Sequence, residues 1–276
     1  MTLTIVVHSY RGGTGKSSVL ANLALLLAGE GRRVGVIDTD IQSPTLDLLF
    51  RLRPGPSLAD YLLGRCEIEA AAQQVTTSCG RALYVVPART GTAALRELMT
   101  TGYDVGLLPE GFDRLAVHHA LDVLLLDTHA GLNNESVTAM ASADVLLIMA
   151  RADRIDLLGV EETIALTGRL ACRRTLVMSM APEGIDREAA RRRAEEVYRT
   201  PLAGILPYVP EMAALFGERI FSEAHPDHPL VGEFRTIISA LDARDEVSRA
   251  WRLPLTPLAG GVLNRQRIQT DQGEES

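Results

Sequence analysis

The sequence predicts an α/β fold, a doubly wound and mainly parallel sheet flanked by helices, and three observations predict it. Short apolar runs of strand length recur along the chain without polar alternation, as strands buried on both faces require. Segments with helical spacing separate those runs, the alternation that a parallel sheet needs for its crossovers. A length of 276 residues with 46% hydrophobic content is enough for one large core.

Taken in order, strands are expected at Thr4–Val7, Arg33–Ile37, Leu83–Val86, Val123–Leu126, Val145–Ala150, Leu176–Met180 and Ala203–Leu206, each bounded by turn residues. Helices are expected at Lys16–Ala28, Glu135–Ala141, Leu157–Leu170, Asp186–Tyr198 and Leu230–Ala243. The stretch Arg53–Ser57 reads as a loop leading into a short helix at Leu58–Leu63, and Thr100–Asp113 reads as an irregular surface excursion. From Leu253 onward the composition shifts to Pro, Gly and polar residues. The chain is therefore divided into one domain, residues 1–250, and a flexible tail, residues 251–276.

Charge and composition narrow the function classes. A net charge of -7 argues against a protein that coats nucleic acid with its whole surface. The cysteines Cys66, Cys79 and Cys172 are odd in number and form no C-x-x-C pair, which fits a reduced, cytoplasmic chain better than a disulfide framework or a metal cluster. The N-terminus carries no export signal, and no apolar run reaches the roughly 18 to 20 residues that span a bilayer. Of 28 basic residues, 27 are Arg and only Lys16 is Lys. A compact ammonium fits among closely packed phosphate oxygens where a planar guanidinium is too wide, so the exception points to chemistry at Lys16.

Lys16 lies in Arg11-Gly12-Gly13-Thr14-Gly15-Lys16-Ser17, between an expected strand and an expected helix. The standard pattern G-x-x-x-x-G-K-[ST] asks for glycine where Tyr10 stands, so the motif is a deviant phosphate loop. Its glycines let backbone N–H groups turn toward phosphate oxygens, and the following helix adds its positive end. Lys16 is expected between β- and γ-phosphates, with the Ser17 hydroxyl on magnesium. Asp38 and Asp40 emerge at the C-terminal end of the second strand, where open α/β sheets hold their ligands. Asp127 ends the strand Val123–Leu126 and is a candidate magnesium ligand.

Four segments together resemble the deviant Walker A ATPases that include ParA and MinD: RGGTGKS at 11–17, VIDTDIQSP at 36–44, LLLDTHAGL at 124–132 and LAGILP at 202–207. The resemblance spans about the first 245 residues. It implies an ATP-binding and ATP-hydrolysing switch that forms a homodimer around ATP and positions DNA or a large cargo. ATP and Mg2+ are the implied ligands, with Gly12, Gly13, Thr14, Gly15, Lys16, Ser17, Ser18, Gly131 and Pro207 around the nucleotide. Magnesium falls to Ser17, Asp38 and Asp127, and catalysis to Lys16, Asp40 and Arg11. By the same resemblance Asp40 orients the attacking water and the Gly131 N–H lies near the γ-phosphate. This chain departs from the family's pattern in two places. Arg11 replaces the signature lysine that reaches across the dimer, and His129 replaces a usual proline. The base pocket is weakly marked, since Val177–Pro182 lacks the family's frequent asparagine.

Beyond the nucleotide, the expected partners are a second copy of the chain, a protein activator or cargo adaptor, and nonspecific DNA. The DNA reading rests on Arg187, Arg191, Arg192, Arg193 and Arg199 of one helix, but interleaved Glu188, Glu195 and Glu196 favour a solvated, salt-bridged face. The tail, with Pro254, Pro257, Gly260 and Gly261 and an acidic end, is a poor membrane anchor. Two alternatives stand beside the hydrolysing switch: a slow or non-hydrolysing nucleotide-sensing scaffold, and a metabolite-directed phosphoryl-transfer or ligase enzyme.

Overall fold

The computed structural model describes residues 1–78, 80–89 and 91–242. The first half of the chain runs β1 (Leu3–His8), α1 (Lys16–Gly29), β2 (Val34–Asp38), α2 (Leu46–Leu49), α3 (Leu58–Leu62), α4 (Ile68–Ala71), β3 (Gln73–Thr76), β4 (Ala82–Val86), α5 (Thr92–Thr101) and α6 (Leu107–His118). It continues with β5 (Val123–Asp127), α7 (Asn134–Ala141), β6 (Val145–Arg151), α8 (Arg154–Thr167), β7 (Arg173–Ala181), α9 (Arg187–Tyr198), β8 (Leu202–Pro207), α10 (Pro210–Ala213), α11 (Phe221–Ala224) and α12 (Pro229–Asp242).

One eight-stranded sheet, in the order β3-β4-β2-β5-β1-β6-β7-β8, carries the fold. All pairings are parallel except β3 with β4. The central strands β2 and β5 are buried along their whole length, which explains their unbroken apolar sequences. One face is covered by α1, α2, α11 and α12, through Leu20, Leu23, Leu27, Leu46, Phe221 and Phe234. The other is covered by α3 to α9, through Leu58, Ile68, Leu98, Leu108, Leu115 and Met140 among others. Successive residues of β1 serve opposite faces: Ile5 and Val7 meet the first, Val6 the second.

Every expected strand is present, and one was missed. The edge strand β3 is only half-buried and is built from Gln, Val and Thr, so it offers no apolar run. The expected irregular excursion at Thr100–Asp113 is corrected: it contains the end of α5 and much of α6, separated by a break at Gly102–Gly106. Pro109 falls in the first turn of α6, where its missing N–H costs nothing, and Leu108, Phe112, Leu115 and Ala116 form a helical stripe on the sheet. Helix α8 begins earlier than expected because Asp153 caps it, accepting from the N–H groups of Ile155 and Asp156. The tail, residues 251–276, lies outside the described residues, as does Ala243. No helix among the described residues is long and apolar enough to cross a membrane.

Parallel register brings the functional edge together. Val7 is level with Asp127, and Asp127 with Asp38, so β1, β2 and β5 end side by side. Chain direction across the sheet reverses here, since β1 leads to β2 on one side while β6 lies on the other. This is the crevice in which doubly wound sheets bind ligands.

Candidate nucleotide-binding site

The loop after β1 is shaped by glycine and its own hydrogen bonds. Gly13 and Gly15 have φ of +78° and +84°, a left-handed conformation that side chains disfavour. Ser9 Oγ donates to the Arg11 carbonyl at 2.7 Å. An added Cβ at Gly12, Gly13 or Gly15 meets no atom within 4 Å, so the loop opens on clear space. Helix α1 starts directly after Gly15 without a side-chain cap or an acidic residue in its first turn, leaving its leading N–H groups for an anion. Lys16 and Thr14 are buried, and Thr14 Oγ1 has no hydrogen-bond partner.

Beside the loop lie two buried carboxyls. Asp127 is 1% exposed, and neither oxygen has a hydrogen bond of good geometry, although the Ser17 hydroxyl is close enough to act on it. Burial pushes its pKa above the ordinary carboxylate range, opposed by the charge of Lys16 and then by Ser17. An unsatisfied buried carboxylate beside a hydroxyl is a donor set that suits a hard, oxygen-seeking cation such as magnesium.

Asp38 is fully buried and otherwise employed. Its Oδ1 accepts from Asp40 N–H at 2.9 Å, and its Oδ2 from Thr45 and Leu46 N–H at 3.2 Å each. Burial, and after it the neighbouring Asp127, raise its pKa, while these N–H groups oppose the rise. The expectation that Asp38 supports the metal shell thus meets a carboxylate that holds the turn from β2 into α2, whereas both Asp127 oxygens are without a hydrogen bond.

Asp40 is partly buried, and one of its oxygens has two donors. Oδ1 accepts from Ser43 N–H at 2.8 Å and pairs with His129 Nδ1 at 2.8 Å. His129 belongs to the loop after β5, which is tied to the phosphate-loop strand: Thr128 N–H and Oγ1 both donate to the Val7 carbonyl, and Gly131 N–H donates to Ser9 O at 3.1 Å. In this conformation the Gly131 N–H is committed to Ser9 and is not directed at a phosphate, so the sequence expectation for it requires the loop to move. Beneath the loop, His8 is buried, and its Nδ1 lies 3.0 Å from Thr128 Oγ1. Because that hydroxyl gives its proton to Val7, His8 Nδ1–H is the donor, which leaves Nε2 as a buried acceptor without a partner. Burial, with the charges of Lys16 and His129, lowers the His8 pKa to about 3.

The two unusual residues of the loop both lean on α8. Tyr10 packs on Gly159 so closely that an added Cβ there stands 2.4 Å from Tyr10 Cβ and Cγ, and the nearby Glu162 raises the pKa of its hydroxyl. Arg11 pairs with Asp156 at 3.6 Å and with Asp153 at 4.0 Å. It is therefore turned toward its own α8 and away from the nucleotide cradle. At the other side of the crevice Pro207 ends β8, exposed and level with Ala181. Ser179 Oγ is buried there without a partner, and Met180 has φ of +50°.

Two residues of the site escaped the sequence reading. Arg89, just past β4, donates to the Ile41 carbonyl at 2.6 Å, to Gln42 O at 3.3 Å and to Gly91 O at 2.7 Å, so it clamps the segment after Asp40. Only a cation at the C-terminal end of a buried strand hinted at it. His8, a polar residue closing an apolar strand, offered a similar hint. Of the α9 arginines, Arg192 pairs within the helix with Glu188 at 3.1 Å, while Arg187 reaches Glu233 of α12 at 2.6 Å and Arg191 the Leu202 carbonyl at 2.7 Å.

Comparison with known proteins agrees with this geometry. A family model described as an AAA domain matches residues 2–176. The antiactivator FleN of Pseudomonas aeruginosa is 29% identical over 262 residues, covering 92% of this chain and 88% of that protein. An uncharacterized ATP-binding protein of Methanocaldococcus jannaschii is 28% identical over 249 residues, covering 87% and 88%. Among solved structures, the septum site-determining protein MinD of Pyrococcus horikoshii, complexed with Mg-ADP, superposes with a TM-score of 0.74 at 24% identity, over 88% of this chain and 97% of that one. That last likeness concerns the fold. With the family match covering most of the sheet and the whole phosphate loop, the chain belongs to the ParA/MinD-type P-loop ATPases.

Proposed function

We propose that this chain is an ATP-driven switch that hydrolyses ATP slowly, closes into a dimer around two ATP molecules, and uses that change to position or regulate a partner. The observation that carries the reading is the unsatisfied Asp127 carboxylate beside Lys16 and Ser17, at the open mouth of the glycine loop. Lys16 and the leading N–H groups of α1 bind the β- and γ-phosphates, helped by Thr14 and Ser18, while Ser17 and Asp127 hold magnesium. Bound there by Ser17 and Asp127, magnesium would supply positive charge to offset that of the phosphates. Asp40 orients the attacking water, whose oxygen bonds to the γ-phosphorus as the β–γ bridging bond breaks; ADP and inorganic phosphate leave, the phosphate taking the water's proton. Pro207 flanks the base. The working unit is residues 1–250, with residues 251–276 as an appended tail.

The known roles named for the relatives support two versions of the output. One is a septum site-determining protein, which favours positioning, and another is an antiactivator, which favours regulation through a protein partner. Arg11 favours the slower version. Lying 3.6 Å from Asp156, which Arg151 already binds, and 4.0 Å from Asp153, it has to swing from its own α8 to serve a second subunit, so we expect turnover to rise on dimer formation or with a partner.

Size-exclusion chromatography with light scattering tests the central step. Asp40→Ala protein with ATP and magnesium is expected to run as a dimer, apo protein as a monomer, and Lys16→Ala as a monomer under both conditions. A monomer in every sample sinks the switch. Phosphate release measured alongside separates hydrolysis from sensing: wild-type turnover indistinguishable from Lys16→Ala leaves only the non-hydrolysing scaffold.

A further inference from the structure

We infer that His129 is a positioning residue for ATP hydrolysis, orienting the Asp40 carboxylate through Nδ1 and tying that orientation to the loop after β5. The inference rests on the proposed role of Asp40 toward the attacking water.

The geometry is specific. Asp40 Oδ1 already accepts the Ser43 N–H, which can only donate, and an ionised carboxylate can only accept, so the 2.8 Å contact with His129 makes Nδ1–H the donor. Two donors on one oxygen fix the carboxylate plane, and among the described residues no hydrogen bond engages Oδ2. That oxygen is the one left to receive a water. The side chains are 14% and 28% exposed, so solvent competes weakly for the pair.

The anchor of His129 makes this more than a surface contact. Thr128 before it is bound twice to the Val7 carbonyl, and Gly131 after it is bound to Ser9 O, so the imidazole is mounted on the strand that leads into the phosphate loop. Asp40 comes from a different strand end, and Arg89 holds the carbonyls that follow it. His129 is thus a side-chain link between the acidic turn after β2 and the loop after β5, beside the bond from Thr39 Oγ1 to the Asp127 carbonyl. A displacement of residues 128–131 by a terminal phosphate carries the donor with it and re-aims Asp40. This is the general arrangement in which a reacting carboxylate is oriented by a third group.

The test compares full-length wild type with Asp40→Ala, His129→Ala, His129→Asn and His129→Phe. For each, phosphate release is measured against ATP concentration, and affinity with a fluorescent ATP analogue. His129→Ala is expected to lose roughly 10- to 100-fold in kcat with KM and analogue affinity within about 2-fold, since a misaimed group costs turnover and not binding. His129→Phe keeps the ring but lacks the donor, and is expected to match the loss even if the alanine variant folds poorly. Asparagine places an amide N–H near the position of Nδ1, and His129→Asn is expected to recover to within about 3-fold of wild type. The inference is overturned if His129→Ala or His129→Phe turns over at the wild-type rate or faster. It is equally overturned if KM rises at constant kcat, or if His129→Asn is as slow as His129→Phe. Failure of the underlying reading looks different: wild type and Asp40→Ala then release phosphate at the same rate, whatever residue 129 is.

Discussion

The two ends of the nucleotide crevice are built on contrasting lines. Where β1, β2 and β5 end, the turns are tied down around a cradle left open: Asp38 takes three N–H groups, Asp40 two donors, Thr128 one carbonyl twice and Arg89 three carbonyls, while Asp127, Thr14 Oγ1 and His8 Nε2 are buried without partners. Where β7 and β8 end, Ser179 Oγ is buried without a partner, and Met180, Pro207 and Tyr208 are exposed. At the first end a bonded frame holds unsatisfied groups in place, as phosphate chemistry requires of charges kept at fixed distances. The second presents shape and a backbone edge. The difference teaches where substitutions are felt: changes at the first end strain a network, and changes at the second are absorbed.

The largest effect expected is at Gly159. A valine there drives two methyls and a Cβ into the Tyr10 ring, whose nearest atoms adjoin its own backbone and cannot swing away. We expect Gly159→Val to lose about 3 kcal/mol, the upper part of the range for an overpacked core, in urea denaturation, and to recover most of it in a Tyr10→Gly background, which removes the clashing Cβ along with the ring. Equal losses in both backgrounds break the claim that the phosphate loop is braced by α8.

Next in size is acid sensitivity from His8. Its folded pKa of about 3 lies below its unfolded value, so the unfolded chain takes up a proton first as pH falls, and the stability it contributes above pH 6.5 is lost on the way down toward 3. Between pH 7 and pH 5 this amounts to about 2 kcal/mol. His8→Asn, whose amide can still donate to Thr128, is expected to lose about 2 kcal/mol less than wild type over that interval when both are unfolded in urea. Parallel pH profiles for the two proteins contradict a buried neutral imidazole.

The smallest effect marks the other end of the crevice. Ser179→Ala removes a buried hydroxyl that has no partner, so stability is expected to change by less than about 0.5 kcal/mol, or to rise, and ATP affinity by less than about 3-fold. A large loss of affinity overturns the contrast, because Ser179 then reads the base by a specific bond.

How much of this was legible beforehand follows the same physics. The apolar strands were legible because strands buried on both faces must be apolar throughout, whereas the polar edge strand β3 has no such obligation. Helices α5 and α6 were misread because Gly102, Gly106 and Pro109 look like breakers, and only the sheet beneath shows that Pro109 sits harmlessly in a first turn. Lys16 announced itself as the one lysine among arginines. The employment of Asp38 was not legible, since it depends on the chain turning back to present Thr45 and Leu46 N–H groups. Nor was the docking of Arg11 on Asp156, a partner from a distant helix with nothing local to mark it. Local chemistry is written in adjacent residues; the pairing of distant ones is decided by the fold.

The short strand β3 has a consequence for how copies of this protein can meet. It closes one margin of the sheet antiparallel to β4, with Gln74 and Thr76 turned to solvent and only four residues of backbone on offer. A long apolar ribbon at that margin would invite the next molecule to add its own strand and the next after it, an open-ended fibre with no natural stop. A blunt, polar rim discourages such growth, and leaves assembly to faces whose symmetry ends it at a fixed number of subunits.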